Sequence, residues 1–369
     1  MKNNSIASII ISGGYSSRMG SFKPFLNFGE KSAVEMIVDT YKSSGIHDII
    51  VVAGYKGSEV AEKLKGSDVL CIQNENYAEG MFTSVIKGVK ALDGNVAAFF
   101  MQPVDIPLVK KTTIEVLKNK YLENGKGIIY PAFCGSLGHP PLIDCKYKEA
   151  ILRSNGEGGL KRILKEYSGD SIHVPVFDKA VLMDMDTKED YEKLLGYFNA
   201  AAPDLEECYS ILDIYNVPDN IKRHCSKVSE VSAGIFRSLD NAGYELNECA
   251  LKAAAMLHDI AKMEENHART GENILKEMGY GKVGSIIGSH TDIEVADDPG
   301  RITEAEILYL ADKLVREDEV ISIEERFKLS LNHYKDSPEV LRKIENRRDA
   351  TYKIIKKIAA ATGKGFIYG

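Results

Sequence analysis

Along the first half of the chain, short β-branched and apolar runs alternate with stretches whose apolar positions recur every three to four residues. The runs Ile6–Ile11, Asp48–Ala53, Asp68–Ile72, Val96–Met101 and Gly127–Tyr130 predict strands. Ala33–Ser43, Ser58–Leu64 and Ser84–Leu92 between them predict amphipathic helices. Alternation of this kind predicts parallel βαβ units with helices on both faces of the sheet, and ligands gathered beyond the carboxyl ends of the strands.

Near Ala200-Ala-Ala-Pro203-Asp204 the pattern changes to helix almost throughout. Pro218-Asp219 can start one helix, with Ile221, Val228, Val231, Ile235 and Leu239 on its apolar stripe. Thr303 and Glu306 have capping-box spacing ahead of Leu308, Ala311 and Val315. A basic helical stretch, Pro338–Ala361, reads as a solvated face or docking helix. The expected organisation is an α/β, Rossmann-like domain with a mostly parallel sheet over residues 1–200, then an all-α domain over 204–369. A length of 369 residues agrees, since single cores stop growing near ~250–300 residues.

Composition narrows the classes. A net charge of −7 and a pI near 5.7 lack the basic excess of a general nucleic-acid binder, so no nucleic-acid partner is expected. Six scattered cysteines without a Cys-x-x-Cys pair fit a reducing cytoplasm. The run Ile6–Ile11 is broken by Ser12-Gly13-Gly14 well short of a ~20-residue span, so no membrane association is expected.

Candidate chemistry in the first half clusters at predicted strand ends. Strand one runs into Gly13-Gly14, then Ser16, Arg18 and Lys23; the glycines allow close backbone approach to an anion, and Arg18 and Lys23 add positive charge. Asp105, between Pro103 and Pro107, follows another strand. Val181–Met183 reads as a further strand, ending in Asp184 and Asp186. Two carboxylates from separate strands suit Mg²⁺ while leaving positions for phosphate oxygens; Asp186-Thr187 also fits a helix N-cap.

In the second half, His258-Asp259 lies in the apolar helical pattern Ala253–Lys262, where two polar side chains are costly without partners. His224 and Asp312 fall in phase with apolar neighbours, His267 precedes Gly271 and Ile274 on a stripe, and His290 follows Ile286-Ile287. Imidazoles with carboxylates suit Mn²⁺, Fe²⁺, Zn²⁺ or Ni²⁺. A structural or sensory metal site without turnover is the alternative. Cys225, one residue along from His224, is expected to point away and pack.

These motifs carry two resemblances. Residues 6 to about 198 resemble the molybdenum cofactor nucleotidyltransferases, a MobA-like branch, and most closely the cytidylyltransferase type. Ile11 to Lys23 is similar to Leu-Ala-Ala-Gly-x-Ser-x-Arg-Met-Gly-x-x-Lys, and Asn74 through Gly80-Met81 to Ser84 is similar to Asn-Pro-x-x-x-x-Gly-Met-x-x-Ser. Asp105-x-Pro107 resembles the metal-binding Asp-x-Pro, Gly138-His139-Pro140 the substrate-loop Gly-x-Pro, and Asp186-Thr187 with Glu189-Asp190 the terminal Asp-Thr-x-Glu-Asp. Gly156 to Lys161, including Gly159, is similar to Gly-Asp-x-Gly-Ala-Arg with Glu, Leu and Lys in place of Asp, Ala and Arg, which leaves the acceptor open.

The first resemblance implies a nucleoside triphosphate substrate, CTP favoured, and transfer of CMP to molybdopterin with release of pyrophosphate. Another phosphorylated acceptor such as a sugar or polyol phosphate is the alternative, and a molybdoenzyme is an implied partner. It assigns nucleotide binding to Gly13, Gly14, Ser16, Arg18, Lys23, Asn74 and Ser84, and Mg²⁺ to Asp105 and Asp186. Residues from about 205 to 330 resemble the HD-domain phosphohydrolases: His224, His258-Asp259 and Asp312 match the core order, and His267 and His290 the extra histidines of two-metal members. Lys262 matches the Lys of His-Asp-x-x-Lys, which steadies the substrate phosphate. A chiefly hydrolytic protein, or a regulator whose helical half binds a nucleotide without cleaving it, also remains open.

Overall fold

The computed structural model describes residues 5–14, 19–298 and 300–363, which form two compact units divided at Asn199/Ala200. In unit 1 the strands are β1 (Ser5–Ser12), β2 (Asn27–Phe28), β3 (Lys31–Ser32), β4 (Asp48–Ala53), β5 (Leu70–Gln73), β6 (Val96–Pro103), β7 (Ile128–Phe133), β8 (Ser136–Leu137), β9 (Leu142–Asp144) and β10 (Ser171–Pro175). Its helices are α1 (Ala33–Ser43), α2 (Gly57–Lys63), α3 (Met81–Lys90), α4 (Lys111–Asn124), α5 (Lys148–Arg153), α6 (Gly159–Glu166) and α7 (Lys188–Ala200).

The main sheet has the order β10-β7-β9-β6-β1-β4-β5, with β8 paired to β7. All strands along that path run parallel except β9, which is antiparallel to β6 and β7. The apolar character of β1, interrupted only by the small, buried Ser8 between Ile6 and Ile11, follows from burial on both faces. Ile10, Val51 and Phe100 pack with Val34, Ile37 and Tyr41 of α1 and Leu117 of α4 on one side. Ile9, Val52 and Phe99 pack with Val85 and Val89 of α3 and Ile163 of α6 on the other. Chain order reverses at β1, whose neighbours are β4 and β6, so a crevice opens beyond the ends of β1 and β6.

Of the seven strands along the main sheet path, two escape the sequence pattern. β9 is three residues long, and β10 has only Val174 buried, so neither shows a continuous apolar run. The strand expected at Val181–Met183 is instead a 3₁₀ turn, Lys179–Leu182, followed by irregular chain. Local bonds explain the difference: Asp178 accepts from the Ala180 amide, and the Val181 carbonyl accepts from His139, so this segment is tied down without a ladder.

Unit 2 consists of α8 (Leu205–Ile214), α9 (Asp219–Asp240), α10 (Glu248–Leu257), α11 (His267–Glu277), α12 (Gly281–Ile287), α13 (Glu304–Lys313), the two-residue strands β11 (Val315–Arg316) and β12 (Glu319–Val320), α14 (Ile323–His333) and α15 (Pro338–Thr362). Val228, Val231, Ile235 and Leu239 of α9 are buried, with Leu251 and Ala254 of α10 and Leu308 and Ala311 of α13. Thr303 caps α13, its hydroxyl accepting from the Glu306 amide while the Glu306 carboxylate accepts from the Thr303 amide. The helix expected through Lys262 stops at Leu257, so His258-Asp259 sits in the tight turn that follows α10. Among the described residues no helix is long and apolar enough to cross a membrane.

Candidate active sites

In unit 1, Gly13, Gly14, Lys23, Ser84, Asp105 and Asp186 line one cavity of about 230 Å³ beyond β1 and β6. A Cβ on Gly13 would stand 2.7 Å from Ser84 Oγ, so only glycine lets this turn close against α3. Asp105 is fixed by its surroundings: the Val104 amide donates to Ile11 O at 3.0 Å, and the Met185 amide donates to Asp105 O at 3.0 Å. That second bond, with the fully buried Met185 side chain, brings Asp186 beside Asp105. Capping of α7 falls to Thr187, which exchanges bonds with Asp190, rather than to Asp186.

Lys23 stands between the two acids, 2.6 Å from Asp186 Oδ1 and 3.5 Å from Asp105 Oδ2. Burial pushes the Asp105 carboxyl above the ordinary range; Lys23 opposes this, while Asp186 and Asp184 reinforce it. Two carboxylates already sharing one ammonium are close enough to share a divalent cation, so the residues fit Mg²⁺.

The other nucleotide and substrate residues are distributed. Asn74 is fully buried behind the cavity, donating to Ser84 Oγ and Thr83 Oγ1 at 2.9 Å each. Gly138, His139 and Pro140 do not line the cavity, although His139 is near enough to Asp105 and Asp184 to feel their charge. Gly156 and Gly159 are also outside it; both have positive φ, and Gly156 packs against Phe82 of α3. Ser16 and Arg18 lie outside the described residues. Met81, from the Gly80-Met81 motif, lines the cavity together with Tyr77, which the sequence did not mark because an aromatic at a variable motif position resembles core.

Unit 2 gathers its metal-ligating side chains around Asp259. His224, His258 and Asp259 offer ligand atoms within 4.8 Å of one another, and so do Asp259, His267 and His290. Asp259 is common to both groups. Asp312 joins the first, its Oδ1 lying 3.2 Å from His224 Nε2 and 3.7 Å from His258 Nε2.

Hydrogen bonding decides which ring nitrogens face inward. Nδ1 of His224, His258 and His290 lies 2.8, 2.9 and 2.7 Å from the carbonyls of Glu317, Ala255 and Ile287. A carbonyl can only accept, so each Nδ1 carries a proton and Nε2 is the nitrogen left facing the centre, free in the neutral ring to bind a metal. There, His290 Nε2 lies 3.1 Å from His267 Nε2, and the buried His258 Nε2 has no hydrogen-bond partner. Lone pairs aimed at carboxylates and at one another require a cation between them, so the donor set fits a divalent transition metal.

The electrostatics favour positive charge at this centre, which a proton or a metal ion can supply. Burial pushes His258 down, but Cys225, Asp259 and Asp312 more than offset it and hold the imidazole well above its ordinary value. Burial pushes Asp259 up, but His258, His290 and Lys262 bring it far below the carboxylate range. Asp312 behaves likewise, with Lys313, His224 and His258 overcoming burial. His267 is lowered by burial and by the His290 and Lys262 charges. Cys225 is fully buried, as packing requires, yet its thiol is close enough to act on His258; a one-residue offset on α9 does not carry it clear of so crowded a centre.

A cavity of about 550 Å³ opens onto these ligands. Lys262 reaches it with Nζ 2.9 Å from Asp259 Oδ2. Four further cations line it that motif reading missed: Arg223, Lys313, Arg326 and Arg347. Arg347 comes from α15, which the sequence suggested was a solvated or docking helix. No local signal marks these four, since an isolated Arg or Lys on a helix normally reads as surface.

The fold and the two clusters define an α/β nucleotidyltransferase-type unit followed by a helical unit with a metal-ligating centre. Residues 8–172 match the MobA-like NTP transferase domain, and residues 221–317 match the HD domain. The molybdenum cofactor cytidylyltransferase of Escherichia coli (strain K12) is 30% identical over 194 residues, covering 51% of this chain and 94% of that protein. The chain belongs to the MobA-like NTP transferase family and carries an HD domain in its second half. The bifunctional protein GlmU of Carboxydothermus hydrogenoformans is 30% identical over 119 residues, 32% of this chain and 26% of that protein. A solved nucleotidyl transferase from Methanothermobacter thermautotroptrophicus superposes with a TM-score of 0.47 at 22% identity, covering 53% of this chain and 98% of that one.

Proposed function

We propose that unit 1 transfers a nucleoside monophosphate, CMP from CTP, onto molybdopterin with release of pyrophosphate, and that unit 2 is a metal-dependent phosphohydrolase. The observation that carries the transferase reading is the convergence of Lys23, Asp105 and Asp186 beside the Gly13-Gly14 turn. The cytidylyltransferase relative supports cytidine and molybdopterin over other pairs.

No protein nucleophile is needed. An acceptor phosphate attacks the α-phosphorus and pyrophosphate leaves in line, so catalysis is positioning plus neutralisation of charge. Asp105 and Asp186 would hold Mg²⁺, which supplies charge for the departing pyrophosphate. Lys23 then turns from the carboxylates to the phosphates, the glycine turn offers backbone N–H groups, and Asn74 holds Ser84 in place.

In unit 2, His224, His258, Asp259 and Asp312 would hold one ion, and Asp259, His267 and His290 a second. Such ions lower the pKa of water and neutralise phosphate charge. Lys262 steadies the phosphate under attack. The orphaned His258 Nε2 carries this reading.

Incubation of the purified chain with CTP, GTP and ATP, with and without molybdopterin, while pyrophosphate and phosphate are followed separately, tests both halves. Pyrophosphate formed only with CTP and molybdopterin is the expected result. Equal turnover of all three nucleotides without an acceptor would refute the transferase reading.

A further inference from the structure

The two cavities differ in what they can grip. The unit 1 cavity includes Tyr77, Met81, Ile11 and Val104, apolar surface suited to the flat face of a base. The larger unit 2 cavity has no Phe or Tyr among the described residues that line it, and Ile221 is its one purely apolar side chain. It presents five cations, Arg223, Lys262, Lys313, Arg326 and Arg347, against four carboxylates, Asp259, Asp312, Glu317 and Asp318, before any metal is counted. Such a surface recognises compact, multiply charged phosphate and offers no aromatic platform for a nucleobase or a pterin.

Arg326 and Arg347 lie beyond the segment that matches the HD domain, on α14 and α15. Both are held but exchangeable. Arg326 donates to Val315 O at 3.1 Å, and Arg347 makes a two-bond pair with Asp292, at 2.7 and 2.9 Å. The Tyr309 hydroxyl, on the helix that carries Asp312, donates to Arg347 O at 3.2 Å, which anchors the backbone of the arginine while the residue lines the cavity.

We propose that unit 2 hydrolyses pyrophosphate, with Arg326 and Arg347 binding the phosphate that departs. The proposal rests on the phosphohydrolase reading of unit 2 and gives that site its substrate class. Water attacks one phosphorus, the bridging P–O bond breaks, and the released phosphate takes up the proton, so one pyrophosphate and one water give two phosphates. Pyrophosphate is also the product that nucleotidyl transfer in unit 1 would release; unit 2 thus belongs to the class of reactions that consume it and draw transfer forward.

The test uses the full chain loaded with Mn²⁺. Phosphate release is measured from pyrophosphate and from a panel of nucleoside mono- and triphosphates, and binding of the non-hydrolysable imidodiphosphate by calorimetry. Pyrophosphate should be the best substrate. Arg347→Gln and Arg326→Gln should each raise KM and weaken imidodiphosphate binding by about tenfold, the order of one lost charge-assisted bond, with kcat little changed. Asp292→Asn should act in the opposite direction, tightening imidodiphosphate by releasing the Arg347 guanidinium; a merely structural ion pair would not produce that reversal. Nucleotides cleaved in preference to pyrophosphate, in a reaction lost in His258→Ala, would overturn the substrate assignment and leave the phosphohydrolase reading standing. The same holds if imidodiphosphate binds equally to wild type, Arg326→Gln and Arg347→Gln. Absence of phosphate release from every compound would overturn both.

Discussion

Units 1 and 2 each bring carboxylates together, but they settle the resulting charge differently. In unit 1 the Lys23 ammonium already sits between Asp105 and Asp186, at 3.5 and 2.6 Å, and the side chains are only partly buried. In unit 2 three imidazoles turn bare nitrogens inward, and the central atoms of His258, Asp259 and His290 are almost wholly buried. An acid pair with its own lysine can wait for metal to arrive with a nucleotide. A buried cluster of lone pairs cannot, since each unsatisfied buried polar group costs about 1–3 kcal/mol. On the proposed functions, metal in unit 1 would belong to the substrate complex and metal in unit 2 to the resting fold.

The largest expected effect separates the two in one experiment. Chelation of the metal-loaded chain should raise amide hydrogen exchange in α9, α10 and α13 while β1 and β4 stay protected. A site held at one hundred times its dissociation constant contributes about 2.7 kcal/mol. Indistinguishable exchange with and without chelator would remove the contrast.

Next comes Lys23→Ala. Losing the cation that pairs with both acids and is proposed to turn to the phosphates should lower nucleotidyl transfer by about 10²–10³-fold in steady-state assays, with the circular dichroism spectrum unchanged. Near-normal turnover would show that Lys23 only quiets Asp105 and Asp186. The same variant should leave phosphate release by unit 2 as it was.

Gly88→Val probes the frame instead of the site. A Cβ at Gly88 would lie 2.4 Å from Ile9 Cγ2 and 3.2 Å from Val52 Cγ2, so α3 must lift from the sheet. Overpacking of this kind costs about 1–3 kcal/mol, readable as a lower urea midpoint. An unchanged midpoint would mean that α3 has room the packing does not show.

The smallest effect concerns Asp170, which accepts from the Tyr147 hydroxyl and the Gly127 amide and pairs with Lys146 at 2.7 Å. These bonds, led by Lys146, hold its carboxyl below the ordinary value of 3.8. A depressed folded-state value means that the contribution is complete above that ordinary value and is lost as pH falls through the lower one. Because the side chain is one-third exposed, Asp170→Asn should cost only ~0.5 kcal/mol at neutral pH, with the difference from wild type shrinking in acid. A difference that grows as pH falls would contradict the sign.

Much of both units was legible in the sequence because the responsible physics is local. A strand buried on both faces must be apolar at nearly every position, as Ile6–Ile11 is apart from the small Ser8. A glycine pair at its end, a proline-flanked Asp105 and a His-Asp dipeptide after an apolar helix also announce themselves within a few residues. The irregular chain from Val181 to Thr187 did not, since its conformation is set by bonds to His139 and Asp105 from elsewhere.

The sequence by itself determined the change from an alternating to a helical pattern, five strands of the main sheet and several of the helices. Only tertiary structure decided that Asp259 is common to both candidate ligand groups, that Thr187 rather than Asp186 caps α7, and that Arg326 and Arg347 line the same cavity as the histidines. Periodicity and turn chemistry are properties of neighbouring residues and can be read along a line. Where the charged end of a long side chain lies depends on how separate helices pack, and no spacing along one helix carries that information.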